Sequence, residues 1–302
     1  MDGRKKLNEL TILNNFMFSA VMMENPDNCR DLLEYVLGLE IDRVEVVAEK
    51  CMVYHPEYKG VRLDVYVKEQ TEDGMADRHF DVEMQVTNRK IFKRSRYYHS
   101  QMDMEILGTG LSYEELPDTY VVFICDFDPV GLKKYKYTRY CTFKEDNTCE
   151  YEDGRHTVFL NTKGSNDAEV PESLVKLLKY IGATVEDSDK DYDDPLVSRL
   201  QESVKRIKSD REMGARYMLL EEMMKDEYNA GKKEGIIKGK REEKLELIND
   251  FLAQHGEIPK TISDKLADIS DEAILRNLVK KAAIVSGIEE FEKELDKLPV
   301  SE

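Results

Sequence analysis

The chain has 302 residues, 35% of them charged, and 62 acidic against 45 basic side chains leave a formal charge of -17. That length accommodates one large domain or two modest ones and buries a core without disulfide or metal staples. No run approaches the ~18 apolar residues of a membrane span. The opening MDGRKKLNELTILNN has no apolar leader core, so a cytoplasmic protein without membrane contact is expected.

The five cysteines, Cys29, Cys51, Cys125, Cys141 and Cys149, form no C-x-x-C pair, which fits reduced thiols better than a disulfide framework. The five histidines show no H-E-x-x-H spacing, so the common zinc hydrolase signatures are excluded. Acidity is uneven. Residues 185–194 hold six acids and one base, whereas 88–99 hold five bases and no acid, and 133–139 hold four bases and no acid.

In chain order, N-F-M-F-S-A-V-M and D-N-C-R-D-L-L-E-Y-V-L-G predict two helices. The second has Pro26 near its start and Gly38 at its end. The period then shortens to two. V-E-V-V-A-E-K-C-M-V-Y-H predicts a strand, and V-R-L-D-V-Y-V-K a second. Its expected apolar face is Val61, Leu63, Val65 and Val67, with Arg62, Asp64 and Tyr66 opposite. T-E-D-G-M-A-D predicts a turn. In H-F-D-V-E-M-Q-V-T, Asp81, Glu83 and Gln85 share the face opposite Phe80, Val82 and Met84.

A helix is expected over 90–107, and the near-continuous apolar run T-Y-V-V-F-I-C predicts a central strand. Y-K-Y-T-R-Y-C-T-F and H-T-V-F-L-N-T predict two more strands, and P-E-S-L-V-K-L-L-K-Y-I a helix. Past residue 195 the chain reads as helices alone, with a cap at Ser270 and Asp271. Gly231, Gly235 and Gly239 each cost a helix about 1 kcal/mol. Either the helix frays there or another helix approaches closely. The expected organisation is an α/β domain over 1–185, an acidic linker over 186–198 and a helical region over 199–302.

Asp64 and Glu83 are the informative pair. On antiparallel neighbours, same-face side chains come within about 5 Å, and two carboxylates that close repel unless a cation lies between them. A hard divalent ion suits oxygen ligands of this kind. The same pattern also arises on a solvated sheet face. Asp81 could extend the acidic site, or simply lie at a sheet edge. Lys93, Tyr97 and Gln101 share a face of the following helix, with Arg94 and Tyr98 on the adjoining row. Arginine suits bidentate phosphate contact, while either tyrosine could equally pack in the core. Lys133, Lys134, Lys136 and Arg139 read as a solvated loop, Asp126 and Asp128 as turn caps, and His79 and His99 as structural residues.

The runs R-L-D-V-Y-V…D-V-E-M-Q-V-T-N, K-R-S-R-Y-Y-H-S-Q-M-D and Y-V-V-F-I-C-D-F-D-P, with L-L-E-Y-V-L-G, V-F-L-N-T-K-G, L-L-K-Y-I and K-K-E-G-I-I-K-G-K, resemble the Rpn family. Those are recombination-promoting nucleases and transposase-like proteins of the PD-(D/E)XK superfamily. The resemblance spans nearly the whole chain, with the last ~50 residues matching only in general character. It implies a central mixed sheet flanked by helices, followed by an all-helical C-terminal region. It also implies a DNA endonuclease that uses Mg2+ or Mn2+, linked to recombination.

In that reading Asp64 and Glu83 hold the metal, and Gln85 stands where lysine is usual. Lys93, Arg94, Arg96, Tyr97 and Gln101 contact DNA. An amide supplies neither charge nor a proton at neutral pH. Asn15 stands where members often carry aspartate, which could remove a ligand. The alternative is a weak or inactive interaction module acting through its helical region. Strand transfer is not supported, since no helix-turn-helix or zinc-finger pattern is present. The helical region is also expected to support a homo-oligomer.

Overall fold

The computed structural model describes residues 5–298 apart from 54–56, 58, 71–77, 89–90, 147 and 149–152. The expected turn over 71–77, the cysteine at 149, the histidine at 55 and the bases at 89–90 lie outside the described residues. The chain divides into two compact units, Met1–Tyr217 and Met218–Glu302.

The first unit is built on a mixed six-stranded sheet in the order β1-β2-β3-β4-β6-β5. Its strands are β1 Arg43–Met52, β2 Val61–Gln70, β3 Arg78–Gln85, β4 Asp118–Cys125, β5 Lys136–Arg139 and β6 Arg155–Asn161. β3, β4 and β6 run parallel, and the other neighbours are antiparallel. The central strands are buried on both faces, which is why β4 reads as an unbroken apolar run.

One face is covered by α1 (Asn15–Glu24), α2 (Pro26–Leu37), α4 (Glu172–Ile181) and α5 (Pro195–Ser209). The other is covered by α3 (Phe92–Ile106), through Tyr98, Met102 and the preceding Ile91. Asn14 caps α1 by accepting from the backbone N–H groups of Phe16 and Met17. In α2, Pro26 occupies the first turn, and Gly38 closes the helix in a left-handed conformation, φ +72°, donating to the Glu34 carbonyl.

One expectation is corrected: the apolar stripe of β2 changes sides at Asp64. Val61 and Leu63 pack on the α3 side, Val65 and Val67 on the α1/α2 side, and Tyr66 on the α3 side with Leu63. Opposite Asp64, Glu49 of β1 takes a left-handed backbone, φ +53°. The local twist shifts the alternation by one residue, and Tyr66 is fully buried rather than part of a polar face.

The first compact unit extends to Tyr217, beyond the acidic stretch 186–198. The acidic stretch is tied to its surroundings: Thr184 and Asp187 bond through their side chains, Lys176 bonds Asp193, and Tyr192 packs edge-on against Tyr180. α5 then buries Leu196, Val197, Leu200, Val204 and Ile207 in the main core. Its apolar positions follow helical spacing toward that core, so it belongs with the sheet despite its charged outer face.

α6 runs Arg211–Ala253, continuous through the three spaced glycines, and among the described residues no atom outside the helix's own backbone comes within 4 Å of where their β-carbons would sit. In the second unit its end supplies Ile248 and Leu252 to a small core with α7 (Lys260–Ala267), α8 (Glu272–Ala282) and α9 (Ile288–Leu295). Asp271 caps α8, accepting from Ala273 and Ile274. Among the described residues, no helix is long and apolar enough to cross a membrane.

Candidate active site

The β2–β3 ladder pairs Lys68–His79 through Val65–Val82 and ends there. Beyond that point the strands are joined through side chains. The Asp64 N–H donates to Glu83 Oε1 at 3.0 Å, and the Met84 N–H donates to Asp64 Oδ2 at 3.1 Å. Each carboxylate thus replaces a main-chain acceptor lost where the strands part. The split brings Asp64 and Glu83 together.

α1 supports Asp64 from the opposite face of the sheet. Asn15 Nδ2 donates to Asp64 Oδ2 at 3.0 Å, and Ser19 Oγ donates to the Asp64 carbonyl at 3.2 Å. Asn15 was notable in the sequence only as a missing acid. The structure gives it a donor's role beside Asp64. Ser19 carried no sequence signal, because a serine inside an amphipathic helix is unexceptional.

On the α3 side, Arg94 joins the rest. Its Nη2 pairs with Glu83 Oε2 at 2.7 Å, and its Nη1 donates to Gln85 Oε1 at 2.6 Å. Gln85 Nε2 donates in turn to the Thr87 carbonyl and Oγ1 at 2.9 and 3.1 Å. The Tyr98 hydroxyl accepts from Arg94 Nη2 at 2.6 Å. The guanidinium lies 5.2 Å from the Tyr98 ring centroid and 5.4 Å from that of Phe123. Hydrogen bonds and cation–π contact therefore fix its plane.

The row of α3 that faces the site is Arg94–Tyr98, one step from Lys93–Tyr97–Gln101. Lys93 and Arg96 are exposed on its flank. The Tyr97 hydroxyl donates to the Lys59 carbonyl. Gln101 is buried, with Nε2 4.0 Å from Met104 Sδ.

Electrostatically the site is overloaded with acid. Asp81 lies on the same face of β3 as Glu83, fully buried, and among the described residues neither of its carboxylate oxygens has a hydrogen-bond partner. Burial first, then the charges of Glu83 and Asp64, push its carboxyl well above the usual range. Burial and then the Asp64 charge lift Glu83 to about 7. Burial also raises Asp64, against the hydrogen bonds from Met84 and Asn15. Burial and the Glu83 charge push the Tyr98 phenol up to about 12, so it stays neutral and accepts from Arg94. The sheet-edge alternative for Asp81 does not apply, since β3 is flanked by β2 and β4.

These features suit a divalent cation. The donors are hard carboxylate oxygens, and buried negative charge exceeds what Arg94 balances. Among the described residues, no group of three or more His, Cys, Asp or Glu converges on a common point. Asp64 and Glu83 would hold such an ion with water and a substrate phosphate completing the shell.

The remaining candidates are structural. His99 bridges the Thr119 and Thr157 hydroxyls at 2.9 and 3.0 Å, and burial lowers it to about 3. His79 meets the Tyr66 hydroxyl at 2.5 Å, and burial lowers it to about 4. Asp128 accepts from the backbone N–H groups of Val130, Gly131 and Lys133, a turn cap. Lys136 donates to the Val36 carbonyl at 2.7 Å, and Lys134 pairs with Glu169. Cys29, Cys51, Cys125 and Cys141 are free thiols.

A family model described as "PD-(D/E)XK nuclease family transposase" matches residues 13–234, a span that includes every residue of this site. No curated protein and no solved structure matches the chain.

Proposed function

Because the chain belongs to the PD-(D/E)XK nuclease family of transposases, we propose that it is a divalent-cation-dependent DNA endonuclease acting in DNA recombination. The observation that carries this reading is the parting of β2 and β3, where Asp64, Glu83, Gln85 and Arg94 meet. Mg2+ or Mn2+ held by Asp64 and Glu83 would polarise the scissile phosphate and lower the pKa of an attacking water.

The protein's own residues supply the rest. Glu83 and Asp64 bind by their carboxylates, and Asn15 and the Met84 N–H orient Asp64. Gln85 orients Arg94 through its amide oxygen. Arg94 supplies the positive charge absent from the third position of the motif, aimed where negative charge grows on the phosphate. Lys93 and Arg96, exposed on α3, bind the DNA backbone. Their local positive charge counters an overall acidity that otherwise repels nucleic acid.

Cleavage of supercoiled plasmid with Mn2+ or Mg2+ tests the reading. The parent nicks, while Asp64→Ala and Glu83→Ala lose at least about 100-fold. A second reading, an inactive nuclease-fold interaction module, is favoured by the partners of Glu83, whose two oxygens each already accept a hydrogen bond, from the Asp64 N–H and from Arg94. It predicts no cation-induced thermal stabilisation. A rise of several degrees with Mn2+, abolished by Glu83→Ala, rejects it.

A further inference from the structure

β3, β4 and β6 run parallel, so their carboxyl ends share one edge of the sheet, with Gln85, Cys125 and Asn161 level across it. Open sheets of this kind receive ligands outside the carboxyl ends of their strands. Glu83 and Gln85 stand at the β3 end of that edge. Neighbouring strands lie ~4.8 Å apart, which puts the Asn161 main chain about 10 Å from that of Gln85. The major groove alone is about 12 Å wide. A duplex seated over Glu83 therefore also passes over the ends of β4 and β6.

The β6 end carries Lys163, whose side chain is 53% exposed. Its surroundings fix it firmly. The Lys163 N–H donates to the Asn161 amide oxygen at 2.8 Å, and Asn161 is itself buried, donating from Nδ2 to the Lys134 carbonyl at 3.0 Å. Lys163 Nζ meets Asp126 Oδ1 at 2.7 Å. The same oxygen accepts from the Thr162 hydroxyl at 2.9 Å, and the Asp126 N–H donates to the Gln85 carbonyl at 3.0 Å. Lys163 is thus tied, through Asp126, to the residue that orients Arg94. An exposed ion pair contributes little to stability. What this pair does is place the ammonium. Two other bases near this edge are committed elsewhere, Lys134 to Glu169 and Lys136 to the Val36 carbonyl. Asp128 is turned onto the backbone N–H groups of Val130, Gly131 and Lys133.

We propose that Lys163 is a DNA-backbone contact, binding a phosphate that flanks the one at Glu83, with Asp126 as the residue that positions it. The proposal rests on the nuclease reading and adds a second grip on the strand, from β6 rather than from α3. Contacts from α3 alone hold the backbone at one place. A second contact at the β6 end sets the direction in which the strand crosses the site. Without DNA, the Asp126 carboxylate holds the ammonium that a phosphate oxygen then takes over.

Fluorescence anisotropy of a labelled duplex, titrated at several salt concentrations with excess chelator so that the strand stays whole, tests this on the full chain. Lys163→Ala is expected to weaken binding about threefold or more and to lower the slope of log affinity against log salt by about one. Asp126→Asn keeps an oxygen for Thr162 and removes a charge that competes with phosphate, so it tightens binding about threefold. Lys205→Ala removes an exposed lysine of α5, on the face of the sheet opposite α3, and binds as the wild type does. Unchanged affinity and slope in Lys163→Ala, with a wild type that binds, overturns this proposal alone. So does an equal loss in Lys205→Ala, or a loss in Asp126→Asn that matches that of Lys163→Ala and marks the pair as structural. A wild type that binds no duplex overturns this proposal and the nuclease reading together.

Discussion

Arg94 contacts more of the site than any other side chain described here, touching Glu83, Gln85 and Tyr98. Its removal leaves Glu83 beside the Asp64 carboxylate without the guanidinium that pairs with it. Arg94→Ala is expected to lower plasmid nicking about 100-fold in initial-rate assays. Tyr98→Phe deletes one acceptor and costs about tenfold or less. Asn15 is informative in a different way. Asn15→Asp replaces a donor 3.0 Å from Asp64 Oδ2 with a like charge. The variant is expected to melt lower than wild type without cation and to gain more from added Mn2+. Differential scanning fluorimetry checks both, and an unchanged Mn2+ response removes the cation from beside Asp64.

At the scale of elements, the order of strands and helices in the first unit was legible from the sequence, because burial there follows the periods 2 and 3.6 closely. The face assignment of β2 was not. Its alternation Val61, Leu63, Val65, Val67 is regular in sequence, yet a left-handed Glu49 on the neighbouring strand shifts the twist at Asp64. Period alone carries no information about a distortion imposed from across a ladder. For α3 the sequence left two rows open. Lys93, Tyr97 and Gln101 and Arg94 and Tyr98 both satisfy helical spacing, and the choice between them depends on how α3 is rotated on the sheet.

The sequence reading divided α5 between the acidic linker and the helical region, while its inner face carries Leu200 and Val204 into the first unit's core. This yields a prediction. A truncation ending at residue 194 exposes that core and loses cooperative unfolding, whereas one ending at 217 melts cooperatively. Leu200→Ala, at a fully buried position, costs about 2–5 kcal/mol in urea titration.

For the whole molecule, the buried histidines set an acid limit. His99 and His79 are held neutral, with folded-state values of about 3 and about 4 against an ordinary value near 6.5. The unfolded chain binds their protons first, so each contributes stability that is present above pH 6.5 and is lost as the pH falls toward its folded value. The slope is about 1.4 kcal/mol per pH unit for each histidine. His99→Gln keeps an amide between Thr119 and Thr157 and is expected to flatten the decline of urea stability between pH 6 and pH 4.5 by about that amount. An unchanged slope removes His99 as a cause.

Comparing nicking of supercoiled DNA by the wild type, Asp64→Ala and Glu83→Ala, with Mn2+ and with excess chelator, tests the proposed nuclease most directly. The nuclease reading predicts cation-dependent nicking by the wild type alone, lost in both variants while each still folds. Equal nicking by all three proteins, or nicking that survives the chelator, contradicts it.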